Sequence, residues 1–288
     1  MNAIAKDANL ATVADRLAWL AVALAGTCAI AGLVVPGLYH DSDGWIRQAR
    51  AADFVTLFAV VPVLAISLLR IRAGSPAARL TALAALGYLV YNYGIFGFSV
   101  AINAMSPVHI AVLGLSVWSL VIALLDLARH PLLSDVGVRL PRRASGAFLL
   151  SVAALFALMW LGQIAKAITS GVLPEELAKL GLSTNPVYTL DLAFALPFLA
   201  LSGILLLRRS RSSAEIAVAA LTWVALMGLG VFVIFVFDGL AGAIVPWAVA
   251  AIIGLITAVA VVLATLGLQP APLEGAPIRS KHPLRRAV

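Results

Sequence analysis

Eight long apolar stretches alternate with short polar ones along the chain. A helix of about 20 mostly apolar residues crosses a bilayer core of about 30 Å. That length picks out Leu17–Gly37, Asp53–Ile71, Arg79–Ile102, Pro107–Leu127, Gly146–Ile168, Tyr188–Leu207, Ile216–Phe237 and Val245–Leu268. The start signals agree. Thr12 with Asp15, and Ser212 with Glu215, have capping-box spacing ahead of an apolar run. Ser75-Pro76, Ser106-Pro107 and Asn185-Pro186 each place an N-cap residue before a proline at the first helical position. Pro62 and Pro197 fall inside the second and sixth stretches, where each removes a backbone donor and predicts a kink.

Composition supports the same class. The chain of 288 residues is 62% apolar and 11% charged, whereas a soluble domain carries about 25% charged residues. The expected fold is an all-α integral membrane bundle of about eight spans over residues 1–268. The first apolar run is too long for a signal peptide and carries no small-residue cleavage pattern, so it reads as a retained span. The tail over 269–288, with Pro270, Pro272, Pro277 and four basic residues, reads as disordered and able to touch anionic lipid.

The net charge of +7 changes the picture only through its placement. Lys6, Arg16, Arg70, Arg72, Arg79, Arg129, Arg139, Arg142 and Arg143 fall on one side of the eight spans. Arg208, Arg209, Arg211 and the tail residues Arg279, Lys281, Arg285 and Arg286 join them. Only Arg47, Arg50, Lys166 and Lys179 fall on the other. Positive charge marks the cytoplasmic side, so both termini are expected there, in a plasma (inner) membrane. The basic balance is thus a topology signal, and nucleic acid is not an expected partner. Two outer loops are expected to hold short helices along the membrane surface. Asp43 would cap GWIRQARAA, and Pro174-Glu175-Glu176 would open a second helix that stops at Gly181.

A duplication into halves 1–140 and 141–268 also fits. Placing Asp53 on Asp191 aligns Ile66 with Ile204, Leu68 with Leu206, Leu69 with Leu207 and Arg70 with Arg208. Two halves of four spans each would run parallel, related by an axis along the membrane normal.

Candidate chemistry is sparse. There is no HExxH, GxSxG, Walker A or GxGxxG pattern, and the lone Cys28 excludes an intrachain disulfide. No cofactor is expected. The expected spans hold no ionisable residue near their centres, and Asn92 and Gln163 are their strongest polar insertions. Asn92, between Tyr91 and Tyr93 and with Tyr88 one turn earlier, reads either as an interhelical hydrogen bond or as a cavity floor. Polar weight collects at the outer helix ends, at Asn103, His109, Gln163, Lys166, Tyr188, Asp191 and Asp238. Asp53 and Asp191 suit helix N-termini, while Asp238 ends a helix and needs a partner such as Lys166, a cation or water. His40, Asp41 and Asp43 form a weak oxygen-and-imidazole metal candidate. Trp19, Trp45 and Trp247 read as interfacial anchors, and Trp118 and Trp160 as packing.

The expected function is permease-like binding or transport of a small solute or cation at the outer mouth. The alternatives are a non-catalytic scaffold acting through lipid or protein contacts, and an outward-facing membrane enzyme. The expected partners are the lipid bilayer, such a solute, and a membrane-protein partner or second copy of the chain.

Overall fold

The computed structural model describes residues 2–130 and 136–270. The basic tail expected beyond Pro270 lies outside the described residues. The described residues form helices and no strand: α1 (Asn2–Val34), α2 (Asp43–Arg72), α3 (Pro76–Ser99), α4 (Ser106–Arg129), α5 (Arg142–Ser170), the short α6 (Glu175–Leu180), α7 (Pro186–Leu207), α8 (Ser213–Leu240) and α9 (Trp247–Leu268). Eight of them, all but α6, are long and apolar enough to cross a membrane. The protein is a membrane-embedded helical bundle.

Several expected boundaries move. The helix expected over 43–51 is not a separate surface element but the first turns of α2, capped by Ser42, whose hydroxyl accepts from the Trp45 N–H. Asp53 therefore lies inside a helix rather than at its N-terminus. α1 already begins at Asn2, so Thr12 and Asp15 are internal, and Asp15 instead pairs with Arg72 at 2.7 Å. Ser75 and Asn185 cap as expected, accepting from the N–H groups of Ala78 and Val187. Ser212 stands at the N-cap of α8 without a side-chain bond, and Met105, not Ser106, precedes α4. α6 opens after Pro174 and stops at Gly181, with Lys179 bonded to Glu175 at 2.7 Å.

Two helices at the centre organise the rest. α3 touches α2, α4, α7 and α8, while α8 touches α2, α3, α5, α7 and α9. α3 is the least apolar of the eight spans and the most enclosed, with 67% of its apolar stretch buried against 22–39% for the others. The two facts have one cause: the tyrosines and Asn92 of α3 cannot face lipid without losing their partners. α1 packs along α4, whereas α5 and α9 share no comparable seam among the described residues.

The prolines of α2 and α7 come with a change of helix type. Each follows a π-helical segment, Thr56–Val60 before Pro62 and Asp191–Ala195 before Pro197. The amide just ahead of the proline bonds five residues back, Val61 to Thr56 and Leu196 to Asp191. The wider turn gives the pyrrolidine ring room that a regular α turn denies it.

α5 is held mainly by α7. Glycines make that crossing close: a Cβ on Gly146 would sit 2.7 Å from Leu207 Cγ, and one on Gly203 would sit 2.9 Å from the Gly146 carbonyl. Small residues are a common means of close helix approach in lipid. Gly146→Leu is expected to cost about 1–3 kcal/mol by overpacking, read as a lower thermal-unfolding midpoint in detergent. Gly26→Ala, where a Cβ meets nothing within 4 Å, should leave the midpoint unchanged.

Candidate functional site

Successive residues on a helix point about 100° apart, and three neighbours on α3 use that spread to reach three helices. The Tyr91 hydroxyl donates to Asp191 Oδ1 on α7 at 2.8 Å. The Asn92 amide donates to Thr56 Oγ1 on α2 at 3.5 Å, a long bond. The Tyr93 hydroxyl donates to the Ala25 carbonyl on α1 at 3.3 Å. Tyr88, one turn before Asn92, lies beside the same Thr56 hydroxyl. Thr56 and Asp191 are the first residues of the two π segments, so α3 holds both segments at their first residue.

Asp191 accepts a second bond, from Trp160 Nε1 on α5 to its Oδ2 at 2.7 Å. Trp160 stacks on Tyr188 with ring centroids 4.7 Å apart. Trp160 is therefore a donor to the site as well as packing.

Asp53 is 1% exposed. Its Oδ2 accepts the hydroxyl of Tyr39, from the loop after α1, at 2.5 Å. Gly32 makes the space, since a Cβ there would overlap the Asp53 carboxylate and crowd the Tyr39 hydroxyl. Burial first, and then the neighbouring Asp53, raise the Tyr39 phenol well above its usual range, so it stays protonated and donates. Arg50, one turn earlier on α2, faces the same carboxylate, and its Nε is buried without a partner.

A cavity of ≈130 Å³ opens between α2, α3, α7 and α8. Tyr88, Tyr91 and Asn92 form one wall; Gln48 and Ala52 of α2 and Gly230 of α8 form others. Its lining carries no ionisable group other than the two phenols. Trp45, also on the wall, donates from Nε1 to the Ser99 carbonyl at 3.1 Å. That bond ties the start of α2 to the end of α3 and places the cavity toward that end of the bundle. A second cavity of ≈90 Å³ lies toward the opposite end, lined by Asp15, Arg79, Ser119 and Asp126. There Arg79 meets Asp126 at 3.5 Å.

The remaining candidates are spread out. Asp238 pairs with Arg47 of α2 at 2.7 Å, so its partner is Arg47 and not Lys166. Lys166 is exposed and Gln163 half-buried on α5. Asn103 builds the turn between α3 and α4: its Oδ1 accepts from the Met105 N–H at 2.8 Å and its amide donates to the Ala101 carbonyl at 3.0 Å. His109 is buried against Tyr93 and Phe96, with its Nε2 unbonded. Asp41 accepts from the Ala101 N–H at 3.0 Å, while His40 and Asp43 are exposed. Among the described residues no group of three or more His, Cys, Asp or Glu is placed to hold a metal. The structure thus gathers Asn92, Tyr188 and Asp191 around α3 and joins to them Tyr39, Asp53, Thr56, Tyr91 and Trp160.

Comparison with protein-family models, with curated proteins and with solved structures finds no match.

The close fit at Gly32 gives a direct check. Gly32→Ala is expected to push Asp53 from its bond with Tyr39, at a cost of about 1–3 kcal/mol for overpacking. A lowered thermal midpoint in detergent, recovered in part by Gly32→Ala combined with Asp53→Ala, would show that the contact sets it.

Proposed function

We propose that the protein is a permease-like component of the plasma membrane that admits a small uncharged solute to the cavity beside Asn92. The observation that carries this reading is the cavity's position. It lies where α2 and α3 meet α7 and α8, with the polar face of α3 as one wall and the two π-broken helices beside it. π turns inside α-helices occur often at functional sites. Gln48 and Asn92 offer neutral amide groups, and the remaining wall is aromatic and aliphatic. That favours a neutral solute with one polar handle over a cation. The volume is well below the roughly 300–1,000 Å³ of drug-sized sites, which favours a molecule of a few heavy atoms.

The topology belongs to the same proposal. Both termini face the cytoplasm, as the arginine placement supports, and the chain comprises two parallel four-helix repeats. The spacing from Thr56 to Asp191 equals that from Pro62 to Pro197 and from Arg72 to Leu207. In this register Asp191 corresponds to Thr56 rather than to Asp53. The cavity then falls between the repeats, the usual place for a carrier's site.

Osmotic swelling of proteoliposomes, followed by light scattering with glycerol, urea and formamide, tests the reading. At least one of these is expected to enter faster than into empty liposomes. Ala52→Trp, which fills the cavity, should slow its entrance by about tenfold, an added barrier of about 1.4 kcal/mol. Trp118→Leu, on an exposed face of α4, should not. Swelling equal to that of empty liposomes for every solute would favour the scaffold reading instead.

A further inference from the structure

Beyond the first turn of each span, the acidic groups fall into two kinds. Asp15, Asp126 and Asp238 are ion-paired with Arg72, Arg79 and Arg47. Asp53 and Asp191 have no basic nitrogen within 4.0 Å among the described residues and are held by phenol and indole donors alone. A carboxylate at membrane depth without an ion pair is costly and is commonly part of a proton or ion pathway.

We propose that Asp53 and Asp191 are proton-binding sites, one in each half of the chain, whose protonation is coupled to the cavity between α2, α3, α7 and α8. The proposal rests on the solute reading above and adds the coupling ion. In each site the carboxylate takes one proton from hydronium and releases water, and returns the proton to water when it ionises again. A metal ion is the poorer ligand. Hard cations want six or more oxygens, and both oxygens of Asp191 are already occupied by hydrogen-bond donors.

The coupling follows from donor counting. An ionised carboxylate is acceptor-only, and a protonated one carries an O–H donor. With Tyr91 donating to Oδ1 and Trp160 to Oδ2, a proton on Oδ1 turns the Tyr91 hydroxyl from donor to acceptor, since a phenol can do either and an indole N–H only donates. Tyr91 is a wall of the cavity, so a hydroxyl that turns its own proton away from Asp191 changes the polar bonding of that wall. Asp53 lies one turn before Thr56, which accepts from Asn92 and lies beside Tyr88 on the same wall. The titratable and charged groups facing Asp53 are Tyr39 from the loop, Cys28 of α1, Arg50 of α2, and Tyr88 and Tyr93 of α3. Tyr91 of α3 is the titratable group facing Asp191, beside the indole of Trp160.

Infrared difference spectra of the full chain in lipid, recorded between about pH 6 and pH 9, where ordinary carboxyl groups are ionised, test this directly. Two carbonyl bands of protonated carboxylic acid are expected to titrate within that range. Asp53→Asn should remove one and Asp191→Asn the other. Tyr39→Phe and Tyr91→Phe keep the acids, and each should shift the frequency and titration midpoint of its own band, which covers the case where an Asn variant fails to fold. Absence of any titrating acid band, or bands that persist in the double Asn variant, would overturn the proposal. The swelling assay keeps the two readings apart. Solute passage without titrating bands removes the proton sites alone, whereas titrating bands without solute passage remove the solute reading and leave the sites.

Discussion

Inside a bilayer a polar side chain has no water to bond, so it must find its partner within the protein. In this chain that requirement falls most heavily on one helix. α3 carries Tyr88, Tyr91, Asn92 and Tyr93 within two turns, and no placement at the lipid boundary satisfies them. It sits at the middle of the bundle, and α1, α2 and α7 are arranged so that Ala25, Thr56 and Asp191 meet its side chains. Individual bonds between helices in lipid contribute only about 0.6–2 kcal/mol. Their combined effect is to specify which helices are neighbours.

The second constraint is steric. Pro62 and Pro197 each sit in a span that must keep its backbone bonded, and each is preceded by a π turn that accommodates the ring. The first residues of those turns, Thr56 and Asp191, are the ones α3 grips. Backbone irregularity and polar side chains thus coincide, and the larger cavity opens beside them. The acids near the start of α2 and the end of α8 have a different fate. Asp238 is neutralised by Arg47 and Asp41 bonds a backbone amide, so the rim at the end where α2 begins is tied down.

The spans were legible because length and apolarity alone decide them, and Ser75 and Asn185 were legible as caps because capping is local. The role of Asn92 as an interhelical bond was also readable, since an amide in an apolar run has few other fates. The start of α2 was not. Arg47 and Arg50 end the apolar stretch at Asp53, and only the folded structure shows Asp238 and Asp53 beside them. The partners of Asp53 and Asp191 were hidden for a related reason. Tyr39 lies in a loop, and Tyr91 and Trp160 come from other helices, so no spacing along the sequence brings them together. Gly32 reads as one more small residue until Asp53 is seen against it.

The whole arrangement turns on the space that the polar face of α3 borders at the end of the bundle where α2 begins. The most direct measurement places a single thiol there, Gln48→Cys in a Cys28→Ser background, in intact cells. A membrane-impermeant maleimide added outside is expected to label it, and labelling should slow when a solute that enters proteoliposomes is present. Labelling only after the cytoplasmic face is exposed, or the same rate with every solute, would rule out a solute space open at that end.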